Sequence, residues 1–146
     1  MSVFHRILVA YDGSHDGDAA LELAASLAVD QNASLTLLTV VPDVATAVTS
    51  VAAAPYDLES VYTEMLDGAK AKLPADVSVT TRLEHGSPAA RITEAAAGHD
   101  LVVMGTHGRG RIGEALIGSV SRDVVHALRA AVLLTRAAEE SDAAPE

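Results

Sequence analysis

The chain has 146 residues, 49% of them apolar and 21% charged, with a formal net charge of −10 and neither cysteine nor tryptophan. That length and balance describe one packed domain and exclude a disordered chain, a disulfide scaffold and a thiolate metal site. The acidic excess repels nucleic-acid backbones and anionic membranes, and no apolar run approaches the roughly 20 residues that cross a bilayer, so neither is an expected partner.

The opening residues lead straight into a strand-like run with no signal-peptide layout, and a cytoplasmic location is the expectation. Acidity with scarce lysine also fits a chain that stays soluble in concentrated salt. Arg6–Tyr11 is almost continuously apolar, as in a strand buried on both faces, and Asp12-Gly13-Ser14 turns out of it. A helical stretch follows, with Ala20, Leu23, Ala24 and Leu27 on one stripe. Ser34–Val41 reads as the second buried strand. Pro42 to Pro55 has no period and suits a loop or a short helix. From Tyr56 onward, Leu58, Val61, Tyr62, Met65, Leu66, Ala69 and Leu73 form an amphipathic stripe.

Val77–Leu83 alternates like a strand with one less buried face. Ser87 and Pro88 open a third helix, with Ile92 and Ala95 or Ala96 inward and Gly98 as its stop. Asp100–Met104 is the fourth strand, Ser119 to about Leu128 the fourth helix and Ala131–Thr135 the fifth strand. Residues 1–136 make the domain, and 137–146 read as an acidic, disordered tail. The β-α-β order with right-handed crossovers gives a doubly wound α/β/α sandwich on a five-stranded parallel sheet, Rossmann-like in outline. Its ligand crevice lies past the strand ends, between the first and fourth strands, with Asp12 and Gly105 side by side.

The glycine-rich stretch from Gly105 to Ser119 carries most of the functional information. Gly108 and Gly113 have the spacing of a P-loop, but Glu114 stands at the lysine position and Ala115 at the hydroxyl position, which defeats phosphate and magnesium binding. Gly108, Gly110 and Gly113 match the dinucleotide fingerprint, yet they follow the fourth strand and lack the acidic partner about 20 residues on. The third pattern is G-x-x-G, nine residues, then Gly-Ser, met by Gly105, Gly108, Gly118 and Ser119.

This long-spaced pattern resembles the nucleotide-binding signature of the universal stress protein family. Arg6–Ser14 is similar to that family's opening strand and turn, Leu101–Gly108 to its fourth strand, and Gly118–Ser121 to its phosphate-facing helix start. The physics agrees: Gly105 and Gly108 would admit a phosphate and adopt positive φ, and a helix opened by Gly118 and Ser119 attracts an anion. Ser121 adds a hydroxyl. The resemblance implies an adenine nucleotide, ATP with or without magnesium, with AMP or a cyclic nucleotide as alternatives. It places the adenine near Ala10 and Val40 or Val41, and a ribose hydroxyl or the base on Asp12. It also implies a homodimer through the last strand, where Val132 and Leu134 keep the apolar character, although Arg129-Ala130-Ala131 replaces the family's proline-rich approach.

Read from the residues alone, Asp12 also suits a helix cap, a role compatible with the other, and the glycines suit an ordinary surface loop, though their spacing before a Gly-Ser helix start argues against it. His107 touches a phosphate or is a solvated loop residue, and Arg109 and Arg111 clamp terminal phosphates or stand exposed. None of the six histidines has metal-ligand spacing, so no metal site is expected. With no P-loop lysine and no G-x-S-x-G nucleophile, the expectation is an ATP-binding stress-response regulator with an unidentified protein partner rather than an enzyme. A nucleotide-free dimeric scaffold of the same fold and a slow ATPase using Asp12 are the alternatives.

Overall fold

The computed structural model describes residues 2–43, 57–107 and 117–137. Nine elements alternate along it: β1 Arg6–Ala10, α1 His15–Gln31, β2 Ser34–Val41, α2 Leu58–Ala71, β3 Val79–His85, α3 Pro88–Ala95, β4 Leu101–Gly105, α4 Ser119–Ala127 and β5 Ala131–Thr135. The strands form one parallel sheet in the order β3-β2-β1-β4-β5. This is the expected α/β sandwich, with its switch point between β1 and β4. The expected tail apart from Ala137 and most of the Pro42–Pro55 segment lie outside the described residues, as do Gly108, Arg109, Gly110, Arg111 and Gly113.

Strand alternation divides the core in two. Ile7, Val9, Leu35, Leu37, Leu101 and Val103 face α1 and α2, meeting Ala20, Leu21, Ala24, Leu66 and Ala69. Leu8, Leu38, Val102 and Met104 face the opposite layer, where Ile92, Ala95, Ala96 and Val124 cover them. Because successive side chains point to opposite faces, each central strand feeds both clusters, which explains its unbroken apolar sequence.

Three expectations shift. The α1 stripe runs through Ala20, Leu21, Ala24 and Ala28, while Leu23 is 36% exposed; the inner face is turned toward Leu21, which leaves Leu23 at its margin. Val61 likewise points outward on α2. The third strand begins at Val79, not Val77, because Val77 donates its N–H to Pro74 in a turn and only then does the chain join β2, Leu35 opposite Val79. Ser87 does cap α3, accepting from Ala90 N at 3.4 Å, and Gly98 follows that helix at φ +85°.

The two sheet edges differ. β3 carries Arg82 and Glu84, joined at 3.0 Å as a half-exposed ion pair, whereas β5 is Ala-Val-Leu-Leu-Thr with no charge.

Candidate functional site

At the carboxyl ends of β1 and β4 the chain turns away on opposite sides of the sheet and leaves a crevice of about 270 Å³. Its apolar floor comes from Leu38, Ile92, Met104 and Val120, with Pro42, Tyr62 and Pro88 at the mouth. Asp12, His107 and Ser121 supply its polar groups.

Asp12 is held by its own turn. Its Oδ1 accepts from Ser14 N at 2.9 Å and from Ser14 Oγ at 2.6 Å, and the same Ser14 hydroxyl caps α1 by accepting from Gly17 N at 3.0 Å. Gly13 makes the turn possible at φ +82°, with the Met65 thioether packed over it. The N-cap of α1 is thus Ser14 rather than Asp12, which braces that cap from behind and also lines the crevice.

Ala10, Val40 and Gly105 line the crevice as expected. Leu38 O accepts from Tyr11 N at 2.9 Å, and strand alternation turns the Val40 backbone carbonyl to that same side, beyond the end of β1. Val41 lies instead in the core, 5% exposed, and its carbonyl accepts from Gly86 N.

Gly105 has a different reason to be glycine than the one expected. It lacks a positive φ; the left-handed glycines among the described residues are Gly13, Gly86 and Gly98. A Cβ at Gly105 would lie 2.7 Å from Asp16 Cβ and 2.9 Å from Asp16 C, so the glycine exists to let α1 lie against β4. Gly118 is the N-cap of α4 with extended dihedrals, φ −76° and ψ 167°, and offers no side chain to the first-turn N–H groups. Ser119 opens the helix and is exposed. Ser121 donates its hydroxyl proton to Gly105 O at 2.7 Å, which fastens α4 to the end of β4.

His107 is not solvated: it is 5% exposed and lines the crevice. Beside it lies Asp16, a first-turn carboxylate of α1 only 4% exposed. Asp16 Oδ2 accepts from Thr106 Oγ1 at 2.9 Å and from His107 N at 3.3 Å, with His107 Nδ1 at 3.5 Å; Oδ1 accepts from Ala137 N at 2.9 Å. Burial pushes its pKa up, but the bonds from Ala137, Thr106 and His107 outweigh that and hold the carboxyl below its ordinary value. Sequence reasoning missed Asp16. In sequence it looks like any acidic residue favoured at a helix start, and only Gly105, ninety positions away, signals that something closes over it.

Val132 and Leu134 stand half-buried on β5, which among the described residues is an edge strand paired with β4.

An open parallel sheet with a crevice at its switch point defines a doubly wound α/β domain. Residues 4–136 match the model of the universal stress protein family. A universal stress protein of Staphylococcus epidermidis is 34% identical, the match covering 95% of this chain and 88% of that protein. The crystal structure of a universal stress protein family member from Burkholderia pseudomallei is 30% identical, with a TM-score of 0.70 over 94% of this chain and 99% of that one. A universal stress protein in complex with cAMP is 26% identical, with a TM-score of 0.66 over 94% of this chain and all of that one. The chain belongs to the universal stress protein family.

Proposed function

We propose that this chain binds an adenine nucleotide, ATP in its working form, in the β1–β4 crevice. It then acts in the cytoplasm as a stress-response regulator, through its nucleotide state and a homodimer formed at β5. The carrying observation is the crevice itself, lined by an apolar floor, by Asp12 and by Val120 and Ser121 from the first turn of α4, a helix without a side-chain cap. A flat purine fits between Ile92, Met104 and Val120, its edge within reach of the Val40 backbone. Asp12 accepts from a ribose hydroxyl, and the first N–H groups of α4 receive a phosphate at the positive end of the helix dipole. Backbone donors do this locally even on a chain of net charge −10. Magnesium would travel on the phosphates, keeping most of its water. The relative solved with cAMP supports the adenine nucleotide class.

A regulator fits these residues better than a catalyst. The Ser121 hydroxyl in the crevice is committed to Gly105, that of Tyr11 to Asp18, and Asp12 is braced by Ser14. The test is mass spectrometry of small molecules released on denaturing fresh protein, followed by magnesium-ATP calorimetry at high salt. Released ATP, or saturable binding near one per chain, is expected. The backbone at Gly118 tolerates a side chain, so Gly118→Val keeps the fold but fills the space before the helix start and abolishes binding. No adenine compound and no heat, or an unchanged affinity in folded Gly118→Val, refutes the assignment and leaves a scaffold acting by association alone.

A further inference from the structure

The nucleotide reading assigns no role to Asp16, yet no other carboxylate among the described residues is so deeply buried. Its two oxygens serve different clients. Oδ2 takes the Thr106 hydroxyl and the His107 N–H at one root of the glycine stretch, and Oδ1 takes the Ala137 N–H just past β5. Its backbone carbonyl accepts the Thr135 hydroxyl at 3.0 Å. Thr106 extends the connection, since its N–H donates to Thr135 O at 2.9 Å and its carbonyl accepts from Gly118 N at 2.6 Å. Both roots of the glycine stretch, Thr106–His107 and Gly118, thus hang on the start of α1 and the exit of β5. The absence of a Cβ at Gly105 is what lets Asp16 approach this closely.

We propose that Asp16 is a positioning residue that holds both roots of the glycine stretch in their anion-receiving arrangement and couples them to the segment leaving β5. The inference rests on the nucleotide reading of the crevice. It implies that the phosphate end of a ligand, and not its base end, depends on Asp16, because Ala10, Asp12 and Val40 are braced independently by β1, β2 and Ser14. An amide in place of the carboxylate has one acceptor oxygen for two sets of donors. Asn at this position must abandon either the glycine stretch or Ala137 and set its own N–H₂ against an N–H.

The test compares Asp16→Asn, Ala137→Pro and the exposed control Glu22→Gln in the full chain. Calorimetry uses ATP and adenosine, and amide exchange is followed at His107 and Gly118. Ala137→Pro removes only the N–H that Oδ1 accepts, so it decides the matter if Asp16→Asn fails to fold. Both variants are expected to lose about tenfold in ATP affinity while adenosine stays within about twofold, and to exchange faster at His107 and Gly118. Glu22→Gln should match the unaltered chain. Unchanged ATP affinity, or equal losses for ATP and adenosine, overturns the proposal, since a purely structural residue would weaken both ligands alike. If the unaltered chain binds neither ligand, the nucleotide reading fails. The exchange measurement then judges Asp16 separately: faster exchange in the variants supports the clamp, and unchanged exchange overturns it.

Discussion

Gly105→Ala should be destabilising, against the usual gain from replacing a glycine. At a site that tolerates it, Gly→Ala stabilises by about 0.4–1 kcal/mol by restricting the unfolded chain. Here the added Cβ would sit 2.7 Å from Asp16 Cβ and 2.9 Å from its carbonyl carbon, against ordinary contacts of 3.4–4 Å, and the obstacle is helix backbone rather than a pliant side-chain tip. Either α1 or β4 must move by roughly 0.7 Å, which stretches the Asp16 bonds to Thr106 and Ala137. Overpacking of this kind costs about 2 kcal/mol net of the entropy gain. For a domain of this size the thermal midpoint should fall by about 4–8 °C. Gly68→Ala is the built-in contrast. Gly68 lies inside α2 with nothing within 4 Å of a new Cβ, so that variant should gain about 0.5–1 kcal/mol. Urea titrations of both variants beside the unaltered chain measure the two shifts. A stability of Gly105→Ala equal to or above the unaltered chain would refute the packing argument.

His99 is held neutral: burial, then the charges of Arg6 and Arg82, lower its pKa more than its 2.8 Å bond to Ala95 O raises it. The unfolded chain therefore binds a proton that the folded one resists, and stability falls as pH drops below the ordinary histidine value of about 6.5. Urea midpoints at pH 7.5 and 5.5 should fall more for the unaltered chain than for His99→Gln; equal slopes would show that His99 does not titrate on unfolding. Val132→Lys on β5 should shift the protein from dimer to monomer in sedimentation with the fold intact. A dimer persisting in Val132→Lys would place the interface elsewhere.

The architecture was legible because parallel strands buried on both faces write themselves as apolar runs, and glycine, serine and proline punctuate the turns between them. What stayed hidden was pairing over distance. Val77 and Val79 are equally good strand residues, and only the register against Leu35 chooses between them. Leu23 has the spacing of a core residue, but the inner face of α1 runs through Ala20, Leu21, Ala24 and Ala28, and Leu23 falls off its edge. Asp12 and Gly105 were placed at the crevice because fold topology puts strand ends together, whereas Ala10 and Val40 came from the family resemblance. Asp16 was not, because a carboxylate at a helix start reads the same whether water or Thr106 and Ala137 surround it. Gly105 was identified, but the positive φ expected of it is absent, and the room its missing side chain leaves is taken by Asp16.

The contrast between the two sheet edges limits how copies of this chain can join through their sheets. A strand added beside β3 would have to accommodate Arg82 and Glu84, while β5 presents an uncharged row of backbone donors and acceptors. With one receptive margin per molecule, two copies meeting edge to edge by two-fold symmetry use up both margins at once. The product is a finite pair whose outer rims are the charged ones, and growth into a filament has no free end from which to continue.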